Sequence, residues 1–152
     1  MKSIVKNKRA YFEYSILEKY TAGIQLQGSE VKSIKGSKVS IVEAYCFIKD
    51  GEIFIKGMHV TEHKQGGTHN NHVPVRDRKL LLKKKEILKL KEKMLQKGLA
   101  IIPLEIIIST TGFVKLEIGL CRGKNLVDKR EDLKKKDAIK EIARVKKDYI
   151  KQ

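Results

Sequence analysis

The chemistry that the sequence offers most clearly is electrostatic contact with phosphate. Residues 76–97 hold ten cations against three acids. The cations are Arg76, Arg78, Lys79, Lys83, Lys84, Lys85, Lys89, Lys91, Lys93 and Lys97. Such a density predicts a surface that neutralises phosphates and releases counterions, so that affinity falls steeply with salt. The alternative is a solvated helix face without a partner. The whole chain has a formal charge of +16, which favours an anionic partner, either nucleic acid or an acidic membrane surface.

Metal and catalytic chemistry have little support. His59, His63, His69 and His72 lie near one another in the sequence, but without a cysteine or helical spacing they favour contact with RNA over a metal site. Motifs such as a nucleophile elbow, a phosphate loop or H-E-x-x-H do not occur. The sequence therefore predicts a protein that is not an enzyme and needs no cofactor.

The location of the protein can also be predicted. No stretch approaches 18 apolar residues and the first ten residues do not resemble a secretory signal, which favours the cytoplasm over a membrane or an extracellular location. Cys46 and Cys121 form no C-x-x-C pair, so they are expected to be reduced thiols on strands rather than a disulfide framework.

The elements that must position the cations follow from hydrophobic periodicity. Strands are predicted at 11–17, 22–26, 39–48, 53–60, 99–108 and 114–120, with Pro103 favouring a bulge or an edge position. The residues Asp50-Gly51 predict a tight hairpin turn. Helices are predicted from Ser29 to Gly36 and over 79–97, with a loop at 62–78.

These elements predict a mainly β fold with accessory helices. The expected architecture is a six-stranded antiparallel barrel of the oligonucleotide-binding type, plugged at one end by the long helix. Residues 1–121 would form this barrel with its helices. The first ten residues are a basic arm, with Lys2, Lys6, Lys8 and Arg9, that either touches phosphate or frays. Residues 122–152 would form a basic tail, disordered alone and helical on an anionic surface. A terminal helix packed on the barrel is the alternative.

The motifs resemble the small protein B family, the tmRNA-binding (SsrA-binding) factors of bacterial ribosome rescue. The resemblance runs in order from about residue 5 to 145. It rests on NKRA at 7–10, YTAGI at 20–24, LQGSEVKS at 26–33, RDRKLLL at 76–82, KG at 97–98, IPL at 102–104, GLCRGK at 119–124 and DKRE at 128–131. Two positions depart from the family pattern: Thr21 stands where many members carry glutamate, and Val127 where many carry tyrosine or histidine.

The resemblance implies a specific partner and mechanism. The barrel would bind the tRNA-like domain of tmRNA and stand in for the missing codon–anticodon arm. The complex would enter a stalled 70S ribosome, with elongation factor Tu engaged through alanyl-tmRNA, and the tail would become helical in the vacant mRNA path near the decoding site. The protein would act as a monomer and perform no bond chemistry. The rivals are a ribosomal or ribosome-assembly protein that binds rRNA and an RNA-processing enzyme.

The resemblance and the charge pattern together nominate the site residues. Those expected at the RNA are Asn7, Lys8, Arg9, Arg76, Arg78, Lys79, Leu81, Lys115, Arg122, Gly123 and Lys124. The tail residues expected to act in the decoding site are Asp128, Lys129 and Arg130. For Leu81 a packed core position is the alternative. Tyr11, Phe12 and Tyr14 favour a core role over stacking on bases, and Glu30 is expected to support the short helix.

Overall fold

The computed structural model describes residues 1–62 and 72–124. Within these residues the chain forms nine strands and three helices. In order they are β1 (Lys2–Lys6), α1 (Lys8–Glu13), β2 (Tyr14–Ile24), α2 (Gly28–Lys35), β3 (Val39–Ser40), β4 (Tyr45–Lys49), β5 (Glu52–Lys56), β6 (His59–Val60), β7 (Arg78–Leu81), α3 (Lys84–Lys93), β8 (Leu99–Ile108) and β9 (Val114–Gly123).

Six of these strands close into a barrel. Their order is β8-β4-β5-β7-β2-β9, and β9 pairs again with β8. Each of these pairings is antiparallel, so the predicted six-stranded barrel is confirmed. Strand β1 does not belong to the barrel. It pairs only with the C-terminal half of β8, at Glu105–Ile108. The register of β8 against β9 shifts between Pro103 and Glu105, as expected for a proline that cannot donate to the ladder.

The barrel interior is filled by the side chains of every second residue along the strands. Ala22, Ile53, Leu80, Leu116 and Ile118 are among its fully buried side chains. Helix α3 plugs one end, because Ile87 and Leu90 on one face of this helix join the same core. This arrangement leaves the other face of α3, with its lysines, on the surface.

A second, smaller apolar cluster lies on the outside of the barrel. Ala10 of α1 packs there with Ile102 and Leu104 of β8 and Cys121 of β9. Gly119 makes room for it, since an added Cβ atom would lie 2.8 Å from Leu104 Cδ1. Helix α1 is thereby held flat against the outer surface of the sheet.

Several sequence predictions of secondary structure were wrong. The predicted strand at 39–48 is divided into β3 and β4, and the one at 53–60 into β5 and β6. The predicted strand at 11–17 is helical up to Glu13, and one long strand, β2, replaces the two expected over 11–27. The fraying alternative for the basic arm is wrong, because Lys2–Lys6 form β1, and its contact with phosphate stays a prediction. The predicted helix at 79–97 begins only at Lys84, since 78–81 pair as β7 with β5 and β2.

The hairpin between β4 and β5 is confirmed. Asp50 and Gly51 connect Lys49 to Glu52 with φ angles of 52° and 75°. Two successive residues with positive φ match the type I′ turn, which suits the twist of the paired strands. A local turn signal was therefore sufficient at this position.

Helix α3 is tied to the barrel by a polar cluster around Glu18. Tyr20 donates a hydrogen bond from its hydroxyl to Glu18 Oε2 at 2.6 Å, and Lys93 of α3 also bonds to Glu18. The bonds from Lys93 and then Tyr20 lower the pKa of Glu18. Burial, together with the bond to Glu18, raises the pKa of Tyr20 to about 12.

This arrangement predicts that the Tyr20 hydroxyl loses its proton only at an unusually high pH. Because Tyr20 is held neutral, its contribution to stability persists below its ordinary pKa of about 10 and is lost as the pH rises through about 12. The increase in phenolate absorbance at about pH 12 is expected to disappear in Tyr20→Phe. Tyr45→Phe is the control, because it also removes one phenol but leaves Tyr20 and its bond to Glu18 in place. A titration curve of Tyr20→Phe that still rises there would contradict the assignment.

Candidate nucleic-acid interface

The outer surface of three adjacent strands carries a row of predicted RNA-binding residues. Gly23 of β2 is the register partner of Leu81 on β7 and of Lys115 on β9. Lys115 is in turn the partner of Ile107 on β8. Leu81 and Lys115, which lie 34 positions apart in sequence, therefore flank the same glycine. The sequence named both residues but could not show that they are neighbours.

Because Gly23 has no side chain, the side chain of Leu81 can lie across the outer surface of β2 at this position. A Cβ atom at Gly23 would lie 3.2 Å from Leu81 Cβ and 3.4 Å from its Cδ1, so the leucine side chain lies over the glycine. Leu81 is 48% exposed, and the alternative of a packed core position is therefore wrong. An exposed leucine and a lysine on either side of one glycine offer both an apolar contact and a cation to a partner.

The same outer surface continues along β2 toward α1. Thr21, the departure from the family pattern, is exposed and opposite Glu117. Lys19 lies further along, and its Nζ atom is 5.5 Å from the centre of the Tyr11 ring. Lys6 of β1 approaches the same ring at 5.2 Å. Two cations over one aromatic ring form a fixed positive cluster, about four residues of β2 away from Gly23.

The predicted residues of the NKRA motif differ in their surroundings. Asn7 is 1% exposed and uses its whole side chain inside the protein. Its Oδ1 accepts from the Ala10 N–H at 3.1 Å, which caps α1, and its Nδ2 donates to the Pro103 carbonyl at 2.9 Å. Lys8 and Arg9 are exposed. Asn7 therefore fixes the direction in which these two cations leave β1.

Arg76 and Arg78 converge on Glu30. Arg78 is fully buried, and its Nε donates to Glu30 Oε2 at 2.5 Å while its Nη1 donates to the Met58 carbonyl at 2.8 Å. Arg76 Nη2 donates to Glu30 Oε1 at 2.6 Å, with about a third of the arginine side chain exposed. The same Oε1 accepts from the Gln27 N–H at 2.8 Å. Glu30 thus supports α2, as expected, and also joins it to the start of β7.

The charge of this cluster is stabilised by pairing. Burial alone raises the pKa of Glu30, but the hydrogen bonds from Arg76, from the Gln27 N–H and from Arg78 outweigh it, and the pKa is lowered. Burial lowers the pKa of Arg78, while Glu30 acts in the opposite direction. Arg78 is consequently an internal ion-pair residue that positions β7, and Leu81 lies three residues further along that strand.

The remaining predicted residues lie at two other places. Lys79 of β7 pairs with Glu52 at 2.9 Å and keeps a third of its side chain exposed. Arg122 and Gly123 are exposed at the end of β9, where they pair with Ser15 and Tyr14. Strand β9 therefore runs two residues past the predicted barrel boundary at 121. The Lys124 N–H donates to the Glu13 carbonyl at 3.0 Å. Asp128, Lys129 and Arg130 lie outside the described residues.

His72 has an internal role. It is 4% exposed, and its Nε2 is 2.9 Å from the Val60 carbonyl while its Nδ1 is 2.8 Å from Ser29 Oγ. Because a carbonyl only accepts, Nε2 donates to Val60, and both ring nitrogens of His72 have partners inside the protein. The expectation that His72 contacts RNA is therefore wrong. His63 and His69 lie outside the described residues.

The described part of the chain offers neither a metal-binding cluster nor a membrane-spanning helix. In residues 1–62 and 72–124 no group of three His, Cys, Asp or Glu side chains is placed to hold a metal ion. None of the helices described is long and apolar enough to cross a membrane. Cys46 and Cys121 are buried, free thiols, as expected for small apolar side chains on strands, and burial raises the pKa of both.

The fold and the site define a class of protein. A closed six-stranded antiparallel barrel with a net charge of +16 and an exposed row of cations and apolar residues belongs to the basic oligonucleotide-binding barrels. The family model described as "SmpB protein" matches residues 4–148. The chain belongs to this family.

Individual relatives are similar over nearly the whole chain. The SsrA-binding protein of Phocaeicola vulgatus is 46% identical over 141 residues, covering 93% of each chain. That of Cytophaga hutchinsonii is 47% identical over 142 residues, covering 93% of this chain and 92% of its own. A solved chain from "tmRNA-SmpB: a journey to the center of the bacterial ribosome" superposes with a TM-score of 0.68 and 40% identity, covering 80% of this chain and 85% of that chain.

Proposed function

We propose that this protein binds tmRNA and acts in trans-translation. The barrel binds the tRNA-like domain of tmRNA and carries it to ribosomes that have stalled without a codon in the decoding site. The observation that carries the proposal is the row of Leu81, Gly23 and Lys115 across the outer surface of β7, β2 and β9, in a chain whose relatives are named SsrA-binding proteins.

The row supplies two kinds of contact with RNA. Lys115, together with Lys6 and Lys19 further along the sheet, neutralises backbone phosphates. Leu81 lies flat over Gly23 and offers an apolar surface to an unstacked base. Lys8 and Arg9 extend the positive surface, and Asn7 contributes by positioning them. Arg78 does not contact a phosphate, because its buried guanidinium bonds to Glu30 and to the Met58 carbonyl; it contributes by fixing the position of β7.

The remaining partners complete the proposed mechanism. Arg122, Gly123 and Lys124 lead from the barrel into the segment that holds Asp128, Lys129 and Arg130, which act in the decoding site of the stalled 70S ribosome. Elongation factor Tu joins through alanyl-tmRNA. The protein acts as a monomer in the cytoplasm and catalyses no change of covalent bonds.

The proposal is tested by competition between two RNAs. The full chain is titrated with the tRNA-like domain of tmRNA at about 0.15 M salt, a concentration at which surface charges are partly screened. Ordinary tRNA of matched size is the competitor. The expected result is a strong preference for the tmRNA domain. Equal affinity for both RNAs would mean that charge alone is recognised, and an rRNA-binding ribosomal or ribosome-assembly protein would then be the better assignment.

A truncation after Lys124 separates binding from rescue. Because β9 pairs with β2 up to Gly123, this truncation leaves every described strand intact. We expect the shortened protein to bind the tRNA-like domain within about threefold of the full chain, which is a change of less than 1 kcal/mol, and to support no tagging of stalled peptides. Tagging at the full rate would contradict the role proposed for Asp128, Lys129 and Arg130.

A further inference from the structure

An open groove lies between α3, β4 and β8, away from the row on β7, β2 and β9. Its volume is about 810 Å³. It forms because β8 pairs with β4 at a single residue pair, Cys46 with Ile101. The end of α3 contributes Lys91, Met94 and Leu95 to the lining.

The walls of this groove are aromatic and aliphatic. Tyr14, Tyr45 and Phe47 line it together with Met94, Leu95 and Ile102. Tyr45 is 46% exposed and Leu95 is 85% exposed. Large apolar side chains left open around one concavity on a highly charged protein mark a binding site rather than a packing defect.

Two charged side chains of opposite sign line the groove. Lys91 comes from α3, and Asp50 comes from the turn between β4 and β5. Further lysines of α3, including Lys84, Lys85 and Lys89, are exposed along the same helix. An ammonium group suits a phosphate, a carboxylate accepts hydrogen bonds from the amino group of a base, and an aromatic ring stacks on the base itself.

We propose that this groove binds an unstacked nucleotide of single-stranded RNA, with its base against Tyr45 and its phosphate near Lys91. The site is additional to the proposed tmRNA interface and does not depend on it, because the two share no residue. The net charge of +16 favours an anionic occupant, and the aromatic side chains that line the groove favour RNA over an acidic protein segment. A base would cover Tyr45 in the bound state, which accounts for its exposure in the free protein.

The test uses the full chain and a tetranucleotide of single-stranded RNA that carries one 2-aminopurine among uridines. Stacking of this base on an aromatic ring quenches its fluorescence, so a titration gives the affinity. Loss of one stacking partner is expected to weaken binding about tenfold or more in Tyr45→Ser. Tyr45→Phe keeps the ring and should bind within about twofold of the unchanged protein.

Two controls exclude other causes. Phe113→Ser removes an aromatic side chain that is 67% exposed but lies in the turn between β8 and β9, and it should leave the affinity unchanged. A tetranucleotide of the same length without bases should bind about tenfold more weakly than the intact one. Both outcomes are needed, because attraction to phosphate alone would give the intact and the base-free oligonucleotides the same affinity.

Three results would overturn the proposal. They are equal binding of the intact and the base-free oligonucleotides, an unchanged affinity in Tyr45→Ser, and a dimer of the full chain in sedimentation that Tyr45→Ser dissociates. The last result would identify a second copy as the occupant. Binding of the tRNA-like domain should not change in Tyr45→Ser, so failure of the groove and failure of the tmRNA assignment are separate outcomes.

Discussion

Glu30→Ala is expected to lower the free energy of unfolding by about 3–5 kcal/mol, the cost of leaving one member of a buried ion pair alone. Arg78 is fully buried and loses the acceptor of its Nε, while Arg76 and the Gln27 N–H lose their shared acceptor. A loss of this size is a large part of the stability of a domain. Urea denaturation followed by circular dichroism measures the change.

Glu86→Ala is the matched control. Glu86 occupies the corresponding third position of α3 and accepts a hydrogen bond from the Lys83 N–H at 3.2 Å. It has no ion pair among the described residues, so its loss should cost about 1 kcal/mol, as for a helix cap. Equal losses in the two variants would show that Glu30 acts only as a cap.

The ion pair also predicts how stability depends on pH. The pKa of Glu30 is lower in the folded protein than its unfolded value of about 4.3. Its contribution is therefore fully present above about pH 4.3 and is lost as the pH falls through the lower folded pKa. The difference in unfolding free energy between the unchanged protein and Glu30→Ala should shrink over this acidic range.

Leu81→Asp is expected to weaken binding of the tRNA-like domain about 30-fold or more, the range of residues central to an interface. The substitution removes the apolar surface over Gly23 and places a carboxylate across this glycine from Lys115, where phosphates are proposed to lie. Leu81 is 48% exposed, so the fold should persist. A filter-binding titration at fixed salt measures the affinity.

The control for this variant comes from the same barrel. Leu17 on β2 is also 48% exposed, and Leu17→Asp makes the same chemical change away from the row. It should alter the affinity by less than about threefold, a difference below 1 kcal/mol. Lys115→Ala completes the series, because loss of one phosphate contact should reduce the salt dependence by about one unit of slope. Equal weakening by Leu17→Asp and Leu81→Asp would contradict the proposed interface.

Elements with a strong local signal were predictable from the sequence. The hairpin at Asp50-Gly51 needs only two residues that tolerate positive φ. Strand β9 shows unbroken alternation from Val114 to Leu120, and its inward residues are buried as predicted. The long helix was recognised from the spacing of Ile87 and Leu90, which face the core.

Elements that depend on distant partners were not predictable. Leu80 and Leu81 continue the apolar pattern of α3, and only pairing with β5 and β2 makes them a strand. Tyr11 and Phe12 favour strands by type, yet the cap from Asn7 and the packing of Ala10 on β8 make the segment helical. Tertiary contacts override local propensity in both cases.

The candidate site shows the same division. The family resemblance nominated Leu81 and Lys115 individually, but their adjacency follows from a register that no local pattern encodes. Arg78 was predicted to contact RNA because it lies in the cation-rich stretch 76–97 and in the RDRKLLL motif. Glu30, recognised only as a support for α2, is the acid that allows Arg78 to be buried.

The pairing of β2 with β9 also determines when this chain can fold during its own synthesis. Their partners, from Tyr14 with Gly123 to Gly23 with Lys115, lie about 100 residues apart. At a synthesis rate of about 5–20 residues per second, β2 waits about 5–20 s for the strand that covers its edge. The unfinished barrel exposes that edge throughout the delay. Because β9 is the last described strand to be synthesised, the β2 edge stays unpaired, and the nascent chain prone to aggregation, until β9 is available.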